Sequence, residues 1–541
     1  MKNAVLIALI MAMLCLLAVG CKKGMEDTPI IYNTPTPSTS RTNVGSNLNE
    51  GNLNGSNLNE GNLNEGNPDG LVWVVDSTAF AGYIQEDVNR LLKEKGRTYT
   101  VKIIAIDPWK MDYMVELKNL MENGQQVDIA YIAGFEGQDN YYDLVRNGMA
   151  ESLDTYLQSE AGRPLKDAIE PKRWEMLKVD GHIFGVSNYF INTSIGYVYN
   201  KSLLEKHNID PKTLKADIFQ NEEAIQKIFE EDRAPIALWA VNEKLLGYAF
   251  LSDSPLIGYS FDDREGKAVS VFEQPDVREF LWRMKHFKDN GYIVSLNIEG
   301  FDIVGRENGY SALLYYSSLP ALSEVTISEF LDREGNQIIT DTLFVPQGAD
   351  RVNALYTPTC VSAAIPSWSQ KKEDALDFLT LLFADPDVAN LVAYGVEQRD
   401  YTLDDKSRIT DRLKSKGSDL FAVQGEWYTN GVITYPRDEQ PNNKKELVEK
   451  AIHETTLPAL AGFHFDSTPV QAELDAVNTL FYMSEEYGPQ RYTSEVAALL
   501  SGKVDDVDSA LSAFQEKLKA AGIDRVVEEA NRQIAVWKEK L

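Results

Sequence analysis

The chain has 541 residues, 43% hydrophobic and 25% charged, a composition ordinary for a globular protein. Its 82 acidic residues outnumber 53 basic ones, giving a formal net charge of −29. That excess argues against nucleic acid or an anionic membrane surface as partners, since both select cationic patches.

The N-terminus carries one early cation, Lys2, and an apolar run from Ala4 to Val19. This is the layout of a secretory signal peptide, and the run is too short for a good membrane-spanning helix. Leu17-Ala18-Val19-Gly20-Cys21 closes it and resembles a bacterial lipobox, with Ala18 where the usual Leu would stand. The resemblance implies cleavage after residue 20 and lipidation of Cys21. A core cysteine is the alternative, but nothing upstream could pack with it. Loss of the leader removes Lys2 and takes the formal charge from −29 to −30.

Residues 21–70 read as a disordered tether. Thr34-Pro35-Thr36-Pro37-Ser38-Thr39-Ser40 is followed by a degenerate Asn/Gly repeat from Gly45: GSNLNE, GNLN, GSNLNE, GNLNE, GNPDG. One Leu per unit buries too little to offset chain entropy. The units are also far shorter than the roughly 20 residues of a solenoid repeat. A coil of about 45 residues spans roughly 35–40 Å, enough to hold a folded body clear of a bilayer.

The three cysteines are Cys15, Cys21 and Cys360. Only Cys360 would remain free in the folded body, so an intramolecular disulfide and a multi-cysteine zinc site are both excluded. About 470 residues follow the tether, more than one core normally supports, so two lobes are expected.

The body opens with alternating strand and helix patterns. Leu71–Val75, Val101–Ile106 and Val127–Ile132 read as strands. Helical patterns lie between them, one carrying Ile84, Val88, Leu91 and Leu92 and stopping at Gly96, the other running from Met111 to Met121. This alternation implies right-handed crossovers and a largely parallel sheet, with ligands beyond the carboxyl ends of the strands. The places to look are Asp76 to Phe80, Asp107 to Lys110 and Ala133 to Tyr142. Later come amphipathic helices around Val277–Met284, Ala375–Phe383, Leu511–Leu518 and Ile523–Trp537, whose stripes are core faces. Asp508 is the expected cap of the third and Gly522 its C-terminal stop. Phe261–Val269 reads as a hairpin with an Asp/Gly-rich turn.

Segments spread over nearly the whole body resemble the extracellular solute-binding lipoproteins of ABC importers, family 1, in particular the large oligosaccharide-type members of Gram-positive bacteria. They include Asp112–Met121 leading to Val127–Ile129, Gly148–Leu157, Val179–Val186, Gly196–Lys201, Ala375–Leu379 with Asp385-Pro386, Ala393–Glu397 and Phe514–Ile523. The resemblance implies an α/β, two-lobed periplasmic-binding-protein-like fold of type II, each lobe a mostly parallel sheet flanked by helices, with extra C-terminal helices. The first lobe is expected over 71–190 and 360–415, the second over 191–359 and 416–541. Hinge crossings are expected at Tyr189–Tyr199 and Ala354–Ile365.

The family role implied is capture of a solute in the interlobe cleft and delivery to the transmembrane subunits of an ABC permease. The chain would work as a monomer on the outer face of the cytoplasmic membrane, with no cofactor, no metal and no chemistry of its own. The 25 Tyr, 21 Phe and 8 Trp suit a carbohydrate, whose C–H faces stack on aromatic rings while its hydroxyls seek carboxylates, amides and guanidinium groups. The candidate platforms are Phe135, Tyr141, Tyr189, Trp239, Trp427, Tyr428 and Phe463. Candidate polar partners are Asp76, Asn188, Glu397 and Arg399. Ordinary core packing is the alternative for each aromatic, and an ion pair for Glu397 and Arg399.

Enzyme readings find little support. No G-x-S-x-G, P-loop, G-x-G-x-x-G or H-E-x-x-H is present. Ser369-Gln370-Lys371-Lys372 matches S-x-x-K but sits where a helix should start, without partner motifs. His464-x-Asp466 is the one close His–carboxylate pair, and Asp505-Asp506-Val507-Asp508 lacks the Gly and distal Glu of a calcium loop. A lipid-anchored glycoside hydrolase remains the rival, because any two of 82 acidic side chains could be proposed as its catalytic pair. A surface glycan-binding protein without transport is the third class.

Overall fold

The computed structural model describes residues 70–76, 78–106, 113–132, 139–187, 193–215, 217–238, 246–251, 254–295, 313–320, 340–344, 361–412, 425–437, 440, 442–454, 457–483 and 492–540. Cys21, Phe135, Asn188, Tyr189, Trp239 and Cys360 lie outside them, as does the tether up to residue 69. Gly70, expected as the tether's last residue, instead opens the first strand and pairs with Thr100.

The first sheet has the order 100–105, 70–75, 129–130, 361–364, 185–187. Its first three strands are parallel, as the strand–helix alternation requires. The strand Val361–Ala364 arrives from far along the chain and lies antiparallel to both neighbours. The sheet is therefore mixed. Gly70–Val75 is buried throughout, which suits a central strand with both faces covered. The helix Thr78–Glu94 follows it and ends where Gly96 takes a φ of +77°.

A second sheet has the order 293–295, 236–238, 313–320, 193–200, 340–344. The pairs 293–295 with 236–238 and 313–320 with 236–238 are parallel, and 193–200 is antiparallel to both its neighbours. A separate antiparallel group holds Tyr248–Leu251, Ser254–Ser260 and Val269–Ser270, with the Asp/Gly-rich turn inside the last connection.

Two large cores form around these sheets. The first gathers residues from Leu71 to Val186 with Ala363 to Val392, and also Tyr428 and Val432. The second gathers Tyr197 to Ile293 with Leu460 to Ile534. The chain thus stays with the first core well past residue 415, where the sequence suggested it would leave. Gly425 shows why: its Cα lies so close to the helix Pro386–Tyr394 that a Cβ would come within 2.2 Å of the Val392 carbonyl oxygen.

The helix Val507–Ala521 is capped by Asp506, whose side chain accepts from the Ser509 N–H, rather than by Asp508. Asp508 pairs with Arg278 instead, at 2.6 Å. Gly522 ends the helix in the left-handed conformation, φ +98°, as expected. The last helix, Ile523–Lys540, buries Ile523, Val526, Ala530 and Ile534 on one stripe. Among the described residues no helix is long and apolar enough to cross a membrane.

Candidate functional site

In an open parallel sheet ligands bind beyond the carboxyl ends of the strands, which directs attention to that edge of the first sheet. Asp76 sits there, directly after Gly70–Val75 and just ahead of the helix Thr78–Glu94. It is 2% exposed. One carboxylate oxygen accepts a short hydrogen bond from the Tyr428 hydroxyl. The other, Oδ2, is buried and has no hydrogen-bond partner among the described residues. Burial pushes the Asp76 carboxyl up from 3.8 to about 6, against the lowering effects of the Tyr428 bond and of its own backbone N–H. Burial and the facing carboxylate push the Tyr428 hydroxyl up as well.

Tyr428 is held by rings. Its centroid lies 4.6 Å from Phe80, 5.0 Å from Tyr131 and 5.8 Å from Trp73, the last two edge to face. Tyr113 donates to the Tyr131 carbonyl at 2.7 Å and closes the cluster. Each such aromatic pair contributes about 0.5–1.5 kcal/mol beyond its buried area. The result is a buried aromatic cluster around a carboxylate that keeps one oxygen without a partner among the described residues.

Among the described residues, the other sequence candidates do not gather around Asp76 as an open site. Tyr428 is a core residue that orients Asp76, not an open stacking platform, because it is 1% exposed. Tyr141 is 2% exposed, donates to the Leu177 carbonyl at 2.8 Å and accepts from the Phe184 N–H. Both rings took the core-packing alternative. Trp427 is half-buried against the first core. Phe463 packs on the second, 5.6 Å from the Trp537 ring.

Glu397 and Arg399 lie on the loop between the helix Pro386–Tyr394 and the short strand Tyr401–Leu403. Arg399 is engaged by the buried carboxylates of Asp87 at 2.7 Å and Asp400 at 2.8 Å, and lies 4.8 Å over the Tyr83 ring. That is the ion-pair alternative. Glu397 is exposed beside it.

The motifs that hinted at chemistry have structural partners. Ser369 donates to Asp128 at 2.5 Å, and Lys372 pairs with Glu151 at 2.7 Å, so the S-x-x-K match is a helix start. Among the described residues, His207, Glu231 and Asp232 form the one group with metal-ligand spacing. Lys206 already places its ammonium 2.6 Å from Asp232 and 4.0 Å from Glu231, and His207 bonds Asp232 at 2.6 Å. The cluster is an ion-pair network with its cation supplied. His464 lies by Arg146 and stacks on Tyr142 with centroids 4.1 Å apart. Sequence reasoning saw the His464–Asp466 pair but had no signal for those partners, which are 318 and 322 positions away.

With this geometry in hand, comparison with known proteins is informative. A family model described as a domain of unknown function (DUF3502) matches residues 459–539. A carbohydrate ABC transporter substrate-binding protein of Streptococcus pneumoniae serotype 4 is 26% identical over 479 residues, covering 83% of this chain and 86% of the relative. Among solved structures, the N-glycan transport solute binding protein (NgtS) of S. pneumoniae superposes with a TM-score of 0.63 at 18% identity, over 86% of this chain and 98% of that one. Its complex with Man5GlcNAc gives 0.54 at 20% identity, over 87% and 98%. An extracellular solute-binding protein of Bifidobacterium longum subsp. infantis gives 0.52 at 12% identity, over 86% and 98%. The fold is that of the two-lobed solute-binding proteins of type II. In sequence the chain is similar to that carbohydrate ABC transporter substrate-binding protein over most of both chains, in line with the resemblance its segments carry.

Proposed function

We propose that this chain is a cell-surface lipoprotein that captures an oligosaccharide between its two lobes and delivers it to an ABC importer. The lobes are residues 70–187 with 361–437, and 193–344 with 459–540. The observation that carries the reading is the buried Asp76 carboxylate at the carboxyl edge of the first sheet, with one oxygen oriented by Tyr428 and the other without a partner among the described residues. Keeping such a group desolvated costs about 1–3 kcal/mol, which a ligand hydroxyl donating to Oδ2 would offset. The carbohydrate relative of S. pneumoniae, matched over most of both chains, supports the sugar class. The lipobox-like segment ending at Cys21 supports the anchor. Asn188, Tyr189, Phe135, Trp239 and Trp427 are offered as further ligand contacts, and Glu397 as a rim contact.

The test is a thermal-shift screen of residues 70–541 against plant, host and bacterial oligosaccharides, Man5GlcNAc included, with analysis of the glycan recovered. A ligand that binds only the native state at 100 times its Kd adds about 2.7 kcal/mol of stability, an easily measured rise in midpoint. A rise with one glycan, recovered intact, is the expected result. Cleavage products in the same wells would transfer the chain to the glycoside hydrolases. A flat screen would remove the oligosaccharide assignment.

A further inference from the structure

The segment from Ala459 onward matches a family model with no function attached to it. Most of the matched residues complete the second core, from Leu460 to Ile534. Its first stretch does something else as well. Residues 463–467 run without regular secondary structure, and their side chains alternate. Phe463 packs on Trp537, and Phe465 is 2% exposed within the second core. His464 and Asp466, between and after them, reach the first lobe.

There they meet one helix, Asp139–Arg146, on two successive positions of its face. His464 stacks on Tyr142 with the ring planes 18° apart. Arg146 hydrogen-bonds the His464 Nε2 and pairs with Asp466 at 3.0 Å. The His464 ring is pushed down from 6.5 to about 3 by its burial and by the Arg146 charge, so its neutral Nε2 can accept from the guanidinium. Two neighbouring contacts join the same bodies. A Cβ at Gly462 would sit 3.1 Å from the Lys178 carbonyl oxygen, and Lys540 at the end of the last helix lies 3.7 Å from Asp180.

The second-lobe side of this contact is stiff. The Asp466 N–H donates to Gln533 Oε1 at 2.8 Å, and Gln533 Nε2 donates back to the Asp466 carbonyl at 2.8 Å. The contact also lies beside a passage between lobes, since Leu457 packs against the first core and Leu460 is buried in the second. Contacts close to a hinge sweep small distances, so one rigid strap there can set the angle of two large bodies.

We propose that residues 459–467 form an interlobe strap, in which His464 and Asp466 grip Tyr142 and Arg146 and so fix the lobe arrangement of the ligand-free protein. The strap gives the segment of unassigned function a role in conformation rather than in ligand contact. It does not rest on the identity of the solute.

The experiment measures the lobes without any ligand. The whole chain from Lys22 onward carries spin labels at two exposed positions, Val115→Cys in the first lobe and Lys212→Cys in the second, with Cys360→Ser as background. Pulsed electron–electron distances are then compared among the parent, His464→Gln, Arg146→Gln and the exchanged pair Arg146→Asp with Asp466→Arg. The expected result is a single narrow distribution for the parent, broader and shifted ones for both single variants, and a partial return toward the narrow one in the exchanged pair, which restores the ion pair between 146 and 466 but not the bond to His464. The thermal midpoint of each variant checks that it is folded. Arg146 is partly exposed, so its replacement leaves both cores intact. Unchanged distributions in folded variants would overturn the strap. So would a broadened distribution in the parent. A chain that proves not to bind sugars would leave these outcomes untouched.

Discussion

Asp76 shows how much one atom can decide. In the unfolded chain its carboxyl ionises near 3.8, and in the fold only near 6. Folding therefore takes up a proton between those values, and the unfolded state binds fewer protons there. This contribution to stability is greatest below pH 3.8 and is lost as pH rises through 6, a loss on the order of 3 kcal/mol by neutral pH. Asp76→Asn keeps an acceptor for Tyr428 and removes the charge. The expected outcome is a higher thermal midpoint at pH 7.5, by about 1–3 kcal/mol in stability, and no gain at pH 4. The same variant should bind the glycan found in the screen at least tenfold more weakly by calorimetry. Stability gained with affinity unchanged would take Asp76 out of the ligand site while keeping its buried charge.

Arg399 makes the opposite case. It faces two buried carboxylates, so Arg399→Ala leaves Asp400 without its cation and Asp87 with Arg90 alone. A loss of about 1–3 kcal/mol in urea unfolding is expected, with little change in glycan affinity. Glu397→Ala should leave stability within about 0.5 kcal/mol, as exposed changes do, while weakening binding. Unchanged affinity there would remove Glu397 from the rim. The position of Asp76 at the carboxyl end of a parallel strand was legible, because the apolar run Leu71–Val75 marks where that strand stops. Its partner Tyr428 was not, because 352 residues separate them and nothing local records the pairing. The burial of Tyr141 was equally silent, since a tyrosine on an apolar face reads alike whether its hydroxyl meets a sugar or the Leu177 carbonyl.

At the scale of elements, hydrophobic periodicity carried far. The strands at 70–75, 100–105 and 129–130 follow from short apolar runs, and the helices between them from period-3.6 patterning that ends near glycines. The capping of Val507–Ala521 moved two positions from Asp508 to Asp506, because three candidate carboxylates stand within four residues and geometry chooses among them. The antiparallel entry of 361–364 between 129–130 and 185–187 could not be read from its own four residues. A buried strand flanked on both sides has the same apolar sequence whichever way it runs. The alternation at 463–467 is visible in the sequence as Phe-His-Phe-Asp, yet which side the polar residues face depends on a helix more than three hundred positions earlier.

At the scale of the molecule, the proposed function makes ligand binding a shift between lobe arrangements. A ligand moves that equilibrium only by its differential affinity for the closed form. Small-angle scattering of the chain with and without its glycan should show a smaller radius of gyration with ligand, and an identical profile would argue for a rigid glycan-binding surface instead. The late return of Val361–Ala364 has a further consequence, for how the chain reaches its native state. The central gap of the first sheet stays open until more than 360 residues are present, and 185–187 has no neighbour in that sheet before then. The first lobe cannot complete itself as the chain emerges, and its half-built sheet presents unpaired edges meanwhile. A fragment ending near residue 190 should aggregate, whereas one reaching past residue 437 should hold a closed first sheet. Export of a chain with this topology would depend on its staying unfolded, or guarded, until most of it had crossed the membrane.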